Sequence, residues 1–376
     1  MKEREYIFIS NVDLSNRRGG WDGLGGKLYD MLTEILGQVR LLDKVNPPIR
    51  FFDKAWSKLF RLLGLPAIFP AFSSARLSMI RQILSRQIPA SAGLLIFHGS
   101  TPWVHYQPAV KYCVLLDCSF ITYLEVYHDA GAYSKRDVKR IRDAEKQFLS
   151  KATYVYFTSQ WALKETCRHY NLSGDNMVVM GQGPSMQLDD VTYHTRPLKK
   201  QFLLIATNFL GKGGAEICRC FDIFCKKFKG YELLIAGEQP PNIFLQNPAI
   251  RYLGYINKSS LAGRQLLVDL YEETLALLMM TSKDIAPLVI IEAGWQGCPA
   301  VSNNVSAIGE MIIDGETGFL VGNREQELLD RMQWFAVADQ RLLAEMRAAV
   351  KQFVMNTYSW DKVSGIITRT LFPIPL

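Results

Sequence analysis

Two carboxylates, Asp284 and Glu292, stand eight residues apart in DIAPLVIIEAGWQGCPAVSNN (284–304), on either side of the small apolar run IAPLVII. Pro287 favours the first turn of a helix, because its fixed φ suits the helix and its missing N–H is one the first turn leaves unbonded. A helix starting there leaves the amides of Leu288 and Val289 without intrahelical acceptors, and such an N-terminus attracts phosphate. Glu292 falls roughly one turn further in, where a carboxylate can accept two adjacent sugar hydroxyls. Asp284, ahead of the helix, reaches the other end of the same ligand. The spacing suits a nucleotide sugar, with diphosphate over the amides, ribose on Glu292 and hexose near Asp284. The same spacing also reads as a solvated loop acid followed by a surface position on an amphipathic helix.

Other chemistry-bearing residues lie in the first half. Asp117, in VLLDCSF, ends a predicted strand and can orient or deprotonate an acceptor hydroxyl; it also reads as a structural turn aspartate. His98, in LLIFHGS, ends another strand, either as a site residue or as a hydrogen-bonded structural histidine. The glycines of NRRGGWDGLGGKLYDML let backbone approach a ligand closely, and Gly20 and Gly25 are the expected contacts, although the stretch is not a G-x-G-x-x-G fingerprint.

These residues need a frame that brings strand ends together. Short apolar runs, YIFIS (6–10), LLIF (94–97), KYCVLL (111–116), TYVYF (153–157) and MVVM (177–180), alternate with stretches of helical spacing. The rhythm restarts at FLLIA (202–206) and runs through ELLIA, IRYL, ALLMM, PAVS and GFLV (318–321). Alternating strands and helices imply parallel sheets covered on both faces. Two series imply two Rossmann-like α/β domains, expected at 1–190 and 197–357, with QLDDVTYHTRPLKK (187–200) as linker and a C-terminal helical segment (358–376) returning to the first domain. Ligands in such sheets sit beyond the carboxyl ends of the strands, so a cleft between two facing sheets is the expected site.

The bulk numbers narrow the class. Hydrophobic content of 48% and charged content of 21% are those of a globular chain. No apolar run reaches the roughly 18 residues that span a membrane. The start, MKEREYIFIS, does not read as a signal peptide. Seven cysteines without a C-x-x-C pair suit reduced thiols, hence a cytoplasmic setting. The net charge of +7 sits mainly in residues 1–190, where 24 Lys/Arg face 18 Asp/Glu. In RFFDKAWSKLFRLLG (50–64), Arg50, Lys54, Lys58 and Arg61 fall within about 80° of one another at 100° per residue, opposite Phe51, Phe52, Trp56 and Phe60. Such a helix suits the inner face of a membrane, or packs as an ordinary surface helix on its domain. Zinc-type spacings and D-x-D are absent, so no metal or other cofactor is expected. Cations interleaved with aromatics along a sheet are absent too, so nucleic acid is not an expected partner.

The stretch DIAPLVIIEAGWQGCPAVSNNVSAIGEMIIDGETGFLV (284–321) resembles the signature of the retaining GT-B glycosyltransferases of the family-four type: an acid, seven residues, Glu, a small-residue helix, a P-x-V strand and DG-x-TG-F-L-V. FLLIATNFLGKGGAEICRCFDIF (202–224) is similar to the family's strand, KGG turn and helix, and RYLGYI (251–256) to the edge that frames the nucleotide base. The resemblance covers residues 150–325 well and 1–150 loosely. It implies transfer of a hexose, with retention, from a nucleotide-diphosphate sugar to a hydroxyl acceptor such as a polysaccharide or glycolipid precursor. It implies that Lys212 grips the donor diphosphate, that Glu292 holds the ribose, and that Asp284 and Glu310 hold the hexose side. Asp117, Asp284 and Lys212 are then the expected catalytic residues. The chain departs from the pattern at Thr207, where the family has an arginine, at Asp284 in place of Glu, and at Asp117, where the family has a histidine. Those departures leave open a catalytically silent scaffold. A nucleotide-sugar epimerase or hydrolase is the other alternative.

Overall fold

The computed structural model describes residues 5–15, 20–186, 188, 190–193, 196–322 and 324–372. Within the expected linker, residues 187, 189, 194 and 195 lie outside them, as do residues 16–19 at the opening of the glycine-rich stretch and residues 373–376 of the C-terminal segment.

The chain divides into two compact units. One holds Met1–Asn16, Gly25–Gly181 and Ser364–Leu376; the other holds Arg17–Leu24 and Gln182–Val363. Each is built on a six-stranded parallel sheet.

The first sheet has the order β2-β1-β3-β4-β5-β6, from β1 (Tyr6–Ile9), β2 (Val39–Leu42), β3 (Leu94–His98), β4 (Tyr112–Leu116), β5 (Tyr154–Phe157) and β6 (Met177–Val179). β3 and β4 are buried at every residue, as strands covered on both faces must be. β2 has no counterpart among the sequence-based expectations. It lies at the sheet edge, where only one neighbour is needed, and its Arg40 reaches Glu5 across 2.9 Å at the surface. Such an edge strand lacks the continuous apolar run by which its neighbours are read.

The second sheet has the order β12-β11-β10-β7-β8-β9, from β7 (Gln201–Ala206), β8 (Glu232–Gly237), β9 (Ile250–Gly254), β10 (Ala276–Met279), β11 (Ala300–Asn303) and β12 (Gly318–Val321). Helices Gly214–Lys227 and Glu325–Val337 bury Phe221, Phe224, Leu328 and Phe335 against one of its faces. Helices Leu261–Glu273, Leu288–Trp295 and Gln340–Thr357 supply the other core.

The glycine-rich stretch is helix from Gly20 onward (Gly20–Leu36). Gly25 lies inside that helix, and a Cβ there would sit 2.4 Å from the His98 ring, so the glycine is needed for close packing. At the start of the last helix, Trp360–Leu371, the Trp360 indole donates to the Pro184 carbonyl of its own unit at 3.0 Å; within the first unit, Thr370 shares a 2.5 Å hydrogen bond with the Tyr156 hydroxyl on β5.

Candidate functional site

In the second unit the chain leaves β7 towards β8 and β9, then crosses back to lay β10, β11 and β12 on the other side. β7 and β10 are neighbours, with Leu277 opposite Leu203. Loops leaving their carboxyl ends diverge, and this reversal of strand order is where open α/β sheets hold ligands. The loop after β7 carries Thr207 and Lys212; the loop after β10 carries Asp284.

The two loops are tied together. The Met280 amide donates to the Lys212 carbonyl at 3.1 Å, and the Thr281 hydroxyl donates to the Gly211 carbonyl at 3.1 Å. Gly213 has φ +74°, and a Cβ there would lie 2.2 Å from the Met280 carbonyl oxygen. The K-G-G turn therefore needs glycine for both its conformation and its contact. This geometry brings the Lys212 ammonium onto the Asp284 carboxylate as an ion pair. Both side chains are mostly buried, and burial pushes the Lys212 ammonium down to about 8.

Helix Leu288–Trp295 begins immediately after Pro287. Its first bond of the 3₁₀ type runs from the Ile290 amide to the Pro287 carbonyl at 3.1 Å, so the amides of Leu288 and Val289 precede the intrahelical ladder. Both residues are half-buried. Glu292, one turn on, is 0% exposed, which removes the reading of it as a surface position. Its Oε1 accepts from the Ser185 hydroxyl at 2.8 Å, and its Oε2 pairs with the Lys258 ammonium. Asp284 is likewise buried, not a solvated loop acid.

Thr207 is exposed just past the end of β7. Glu310 is half-buried in the short helix Ile308–Met311, and its carbonyl accepts from the Tyr358 hydroxyl at 2.6 Å. Gly20, at φ +59°, opens its helix with no atom within 4 Å of where a Cβ would stand. Lys258 and Ser185 escaped sequence reasoning. The pair Lys258–Glu292 joins positions 34 residues apart, a separation with no periodic meaning. The one signal was the location of Lys258 just after the RYLGYI edge.

The first unit gathers its own polar groups at strand ends. His98 closes β3, lies with its ring tilted against Phe8 at 5.9 Å and stands 3.1 Å from the Ser10 hydroxyl; burial pushes its imidazole down to about 3, which favours the neutral form. That favours its structural reading. Asp117 follows β4, and burial pushes its carboxyl up to about 6 despite a hydrogen bond from Cys118. Glu145 was not foreseen. It is fully buried and accepts from Ser100 at 2.5 Å, Thr101 at 2.7 Å, the Phe120 amide at 2.8 Å and the Tyr170 hydroxyl. It thereby fixes the turn that presents Asp117. All seven cysteines are free.

Residues 192–353 match the family model described as Glycosyl transferases group 1. No curated protein matches the chain in sequence. Solved structures are similar in fold. Sucrose-phosphate synthase from Thermosynechococcus elongatus aligns with a TM-score of 0.71 at 14% identity, over 98% of this chain and 99% of that one. Anabaena HepE in complex with UDP and glucose aligns with a TM-score of 0.65 at 14% identity, over 99% and 100%. An S. aureus TarM mutant in complex with Fondaparinux, α-GlcNAc-glycerol and UDP aligns with a TM-score of 0.58 at 14% identity, over 79% of this chain; the chain spans 59% of TarM's length. The chain has the GT-B fold of two Rossmann-like domains, and the family match falls on the unit that carries Lys212, Asp284 and Glu292.

Proposed function

We propose that the protein is a glycosyltransferase that moves a hexose from a nucleotide-diphosphate sugar to a hydroxyl acceptor, with retention, in the making of a polysaccharide or glycolipid. The observation that carries this reading is the Lys212–Asp284 pair at the β7/β10 reversal, beside the N-terminus of the helix that holds Glu292. The bond from the anomeric carbon to the diphosphate breaks, and the acceptor oxygen forms its bond to that carbon on the same face. Negative charge gathers on the departing nucleoside diphosphate. The Lys212 ammonium and the Leu288 and Val289 amides are placed to offset it. In donor-free protein Lys212 is held by Asp284; an arriving diphosphate competes for the ammonium and leaves Asp284 to hydrogen-bond the hexose, with Glu310 nearby in sequence as its assigned helper. Glu292, which has no exposure in this structure, is assigned to the ribose once the Ser185 hydroxyl or the Lys258 ammonium moves off its carboxylate. Asp117 is assigned to take the proton that the acceptor hydroxyl loses as its oxygen bonds to the anomeric carbon, its raised pKa suiting that transfer near neutrality. With a lysine and helix amides for the diphosphate, transfer is expected to persist in EDTA.

The test is thermal unfolding against UDP-, GDP- and ADP-sugars, UDP first because two of the similar structures hold it. A ligand at a hundredfold its Kd adds about 2.7 kcal/mol, several degrees for a domain of this size. One nucleotide giving that shift, followed by acceptor-dependent product, supports the reading. Product formed without acceptor would make the protein a hydrolase or epimerase. Binding without turnover across an acceptor panel would make it a silent scaffold.

The pH dependence has a defined sign. Burial holds the Lys212 ammonium of the folded protein down at about 8, against an ordinary value of 10.5. The unfolded chain thus binds more protons between those values, and the contribution of Lys212 to stability rises with pH across that window. Donor binding needs the charged form and must fall over the same window. Thermal shifts measured at pH 7 and pH 9 should show the donor-induced increment shrinking while the donor-free contribution moves the other way; an increment unchanged at pH 9 removes the Lys212 ammonium from the binding step.

A further inference from the structure

Helix Phe51–Leu62 sits on the first unit in an orientation that its pattern did not disclose. Ser57 is its buried residue, 4% exposed, with its hydroxyl donating to the Ile68 carbonyl at 3.3 Å. Asp53, on the same side, accepts from Ser73 at 2.6 Å. The domain therefore holds the helix through Asp53 and Ser57, while Lys54, Lys58 and Arg61 stay exposed. The apolar side faces outward: Phe51 is 78% exposed, Trp56 is 56% exposed, and Phe52, Phe60, Leu62 and Leu63 are exposed with them. The helix does pack on its domain as a surface helix, but by these polar contacts and not by its apolar face. Scattered single hydrophobic residues on a surface need no explanation, but a contiguous aromatic ridge marks an interaction site.

Its surroundings say what kind of partner. Lys54, Lys58 and Arg61 run along one flank of the ridge and line, with Ser57, Leu62 and Pro70, an open groove of about 380 Å³. The Arg61 guanidinium is steadied over the Tyr133 ring at 5.3 Å and donates to its hydroxyl at 3.2 Å. From Lys44 to Leu116 the sequence has nine Lys/Arg and one acid, Asp53. Aromatic and leucine side chains beside a row of cations match an anionic bilayer, whose acyl boundary takes the ridge and whose phosphates meet the flank. Among the described residues no helix is long and apolar enough to cross a membrane, so contact of this kind lies along the surface.

We infer that this helix docks the protein on an anionic lipid surface, with Phe51, Phe52, Trp56, Phe60, Leu62 and Leu63 entering the interface and Lys54, Lys58 and Arg61 engaging lipid phosphates. The inference does not depend on the sugar-transfer reading.

The test is flotation of the full chain with vesicles of phosphatidylcholine alone or mixed equally with phosphatidylglycerol, at low and at physiological salt. The protein is expected to float with the anionic vesicles and to lose affinity as salt rises. Lys54→Gln/Lys58→Gln should weaken binding by about 30-fold, from the usual contribution of each basic residue near an anionic surface. Phe52→Ser/Trp56→Ser should abolish flotation. All four side chains are exposed, so circular dichroism and thermal unfolding should be unchanged. Failure to float with anionic vesicles at low salt overturns the inference, as does equal binding to phosphatidylcholine alone. A solution dimer that Phe52→Ser/Trp56→Ser converts to monomer, without flotation, would assign the ridge to a second copy of the chain instead.

Discussion

Lys212→Ala is expected to slow sugar transfer at saturating donor by roughly 10²–10³-fold, the usual cost of removing one preorganised group that meets charge developing in a transition state. The expectation is strong here because Thr207 occupies the position where a second cation would be sought, leaving the ammonium with little help beyond the helix amides. The readout has to separate chemistry from folding, since the substitution also leaves the buried Asp284 carboxylate without its ion-pair partner. Lys212→Ala/Asp284→Asn removes both charges and should recover stability without recovering rate. Lys212→Arg keeps the charge and should recover part of the rate. A Lys212→Ala protein retaining more than about a tenth of the wild-type rate would place the diphosphate elsewhere.

The second large effect is on stability. Lys258→Met should destabilise the second unit by about 3–5 kcal/mol, because it strands a carboxylate that has no exposure to water. The pair itself need not be a net stabiliser; the penalty comes from breaking it on one side. Glu292→Gln/Lys258→Met should therefore recover most of the loss, since an amide at 292 can still accept from Ser185. Urea unfolding of the three proteins without ligand measures this. A loss below 1 kcal/mol in the single variant would mean that Glu292 finds water or another donor when Lys258 is gone. The pair also constrains donor recognition, because a ribose that uses Glu292 must share it with Lys258 or displace it.

The parts of this architecture that were legible from sequence are those with a local physical cause. β3, β4 and β5 are read because burial on both faces demands unbroken apolar runs. The start of helix Leu288–Trp295 is read because Pro287 dictates it. The pairing of Lys212 with Asp284 was not read, although both residues were singled out, since it depends on two loops meeting across 72 positions. Lys258 was missed for the same reason. The helix at 51–62 shows a different limit. Its sequence defines two faces but not which residues the domain covers, and Ser57, an unremarkable residue in the pattern, is the buried one. Glu145 was invisible because its partners come from three separated segments.

The hydrogen bond between Tyr156 and Thr370 spans 214 positions, and the whole of the second sheet is encoded between them. During synthesis at about 5–20 residues per second, β5 waits roughly 10–40 s for its last neighbour to leave the ribosome. Until then the Tyr156 side chain lacks the helix that carries Thr370, so chains truncated before residue 364 should aggregate more than the full chain on expression.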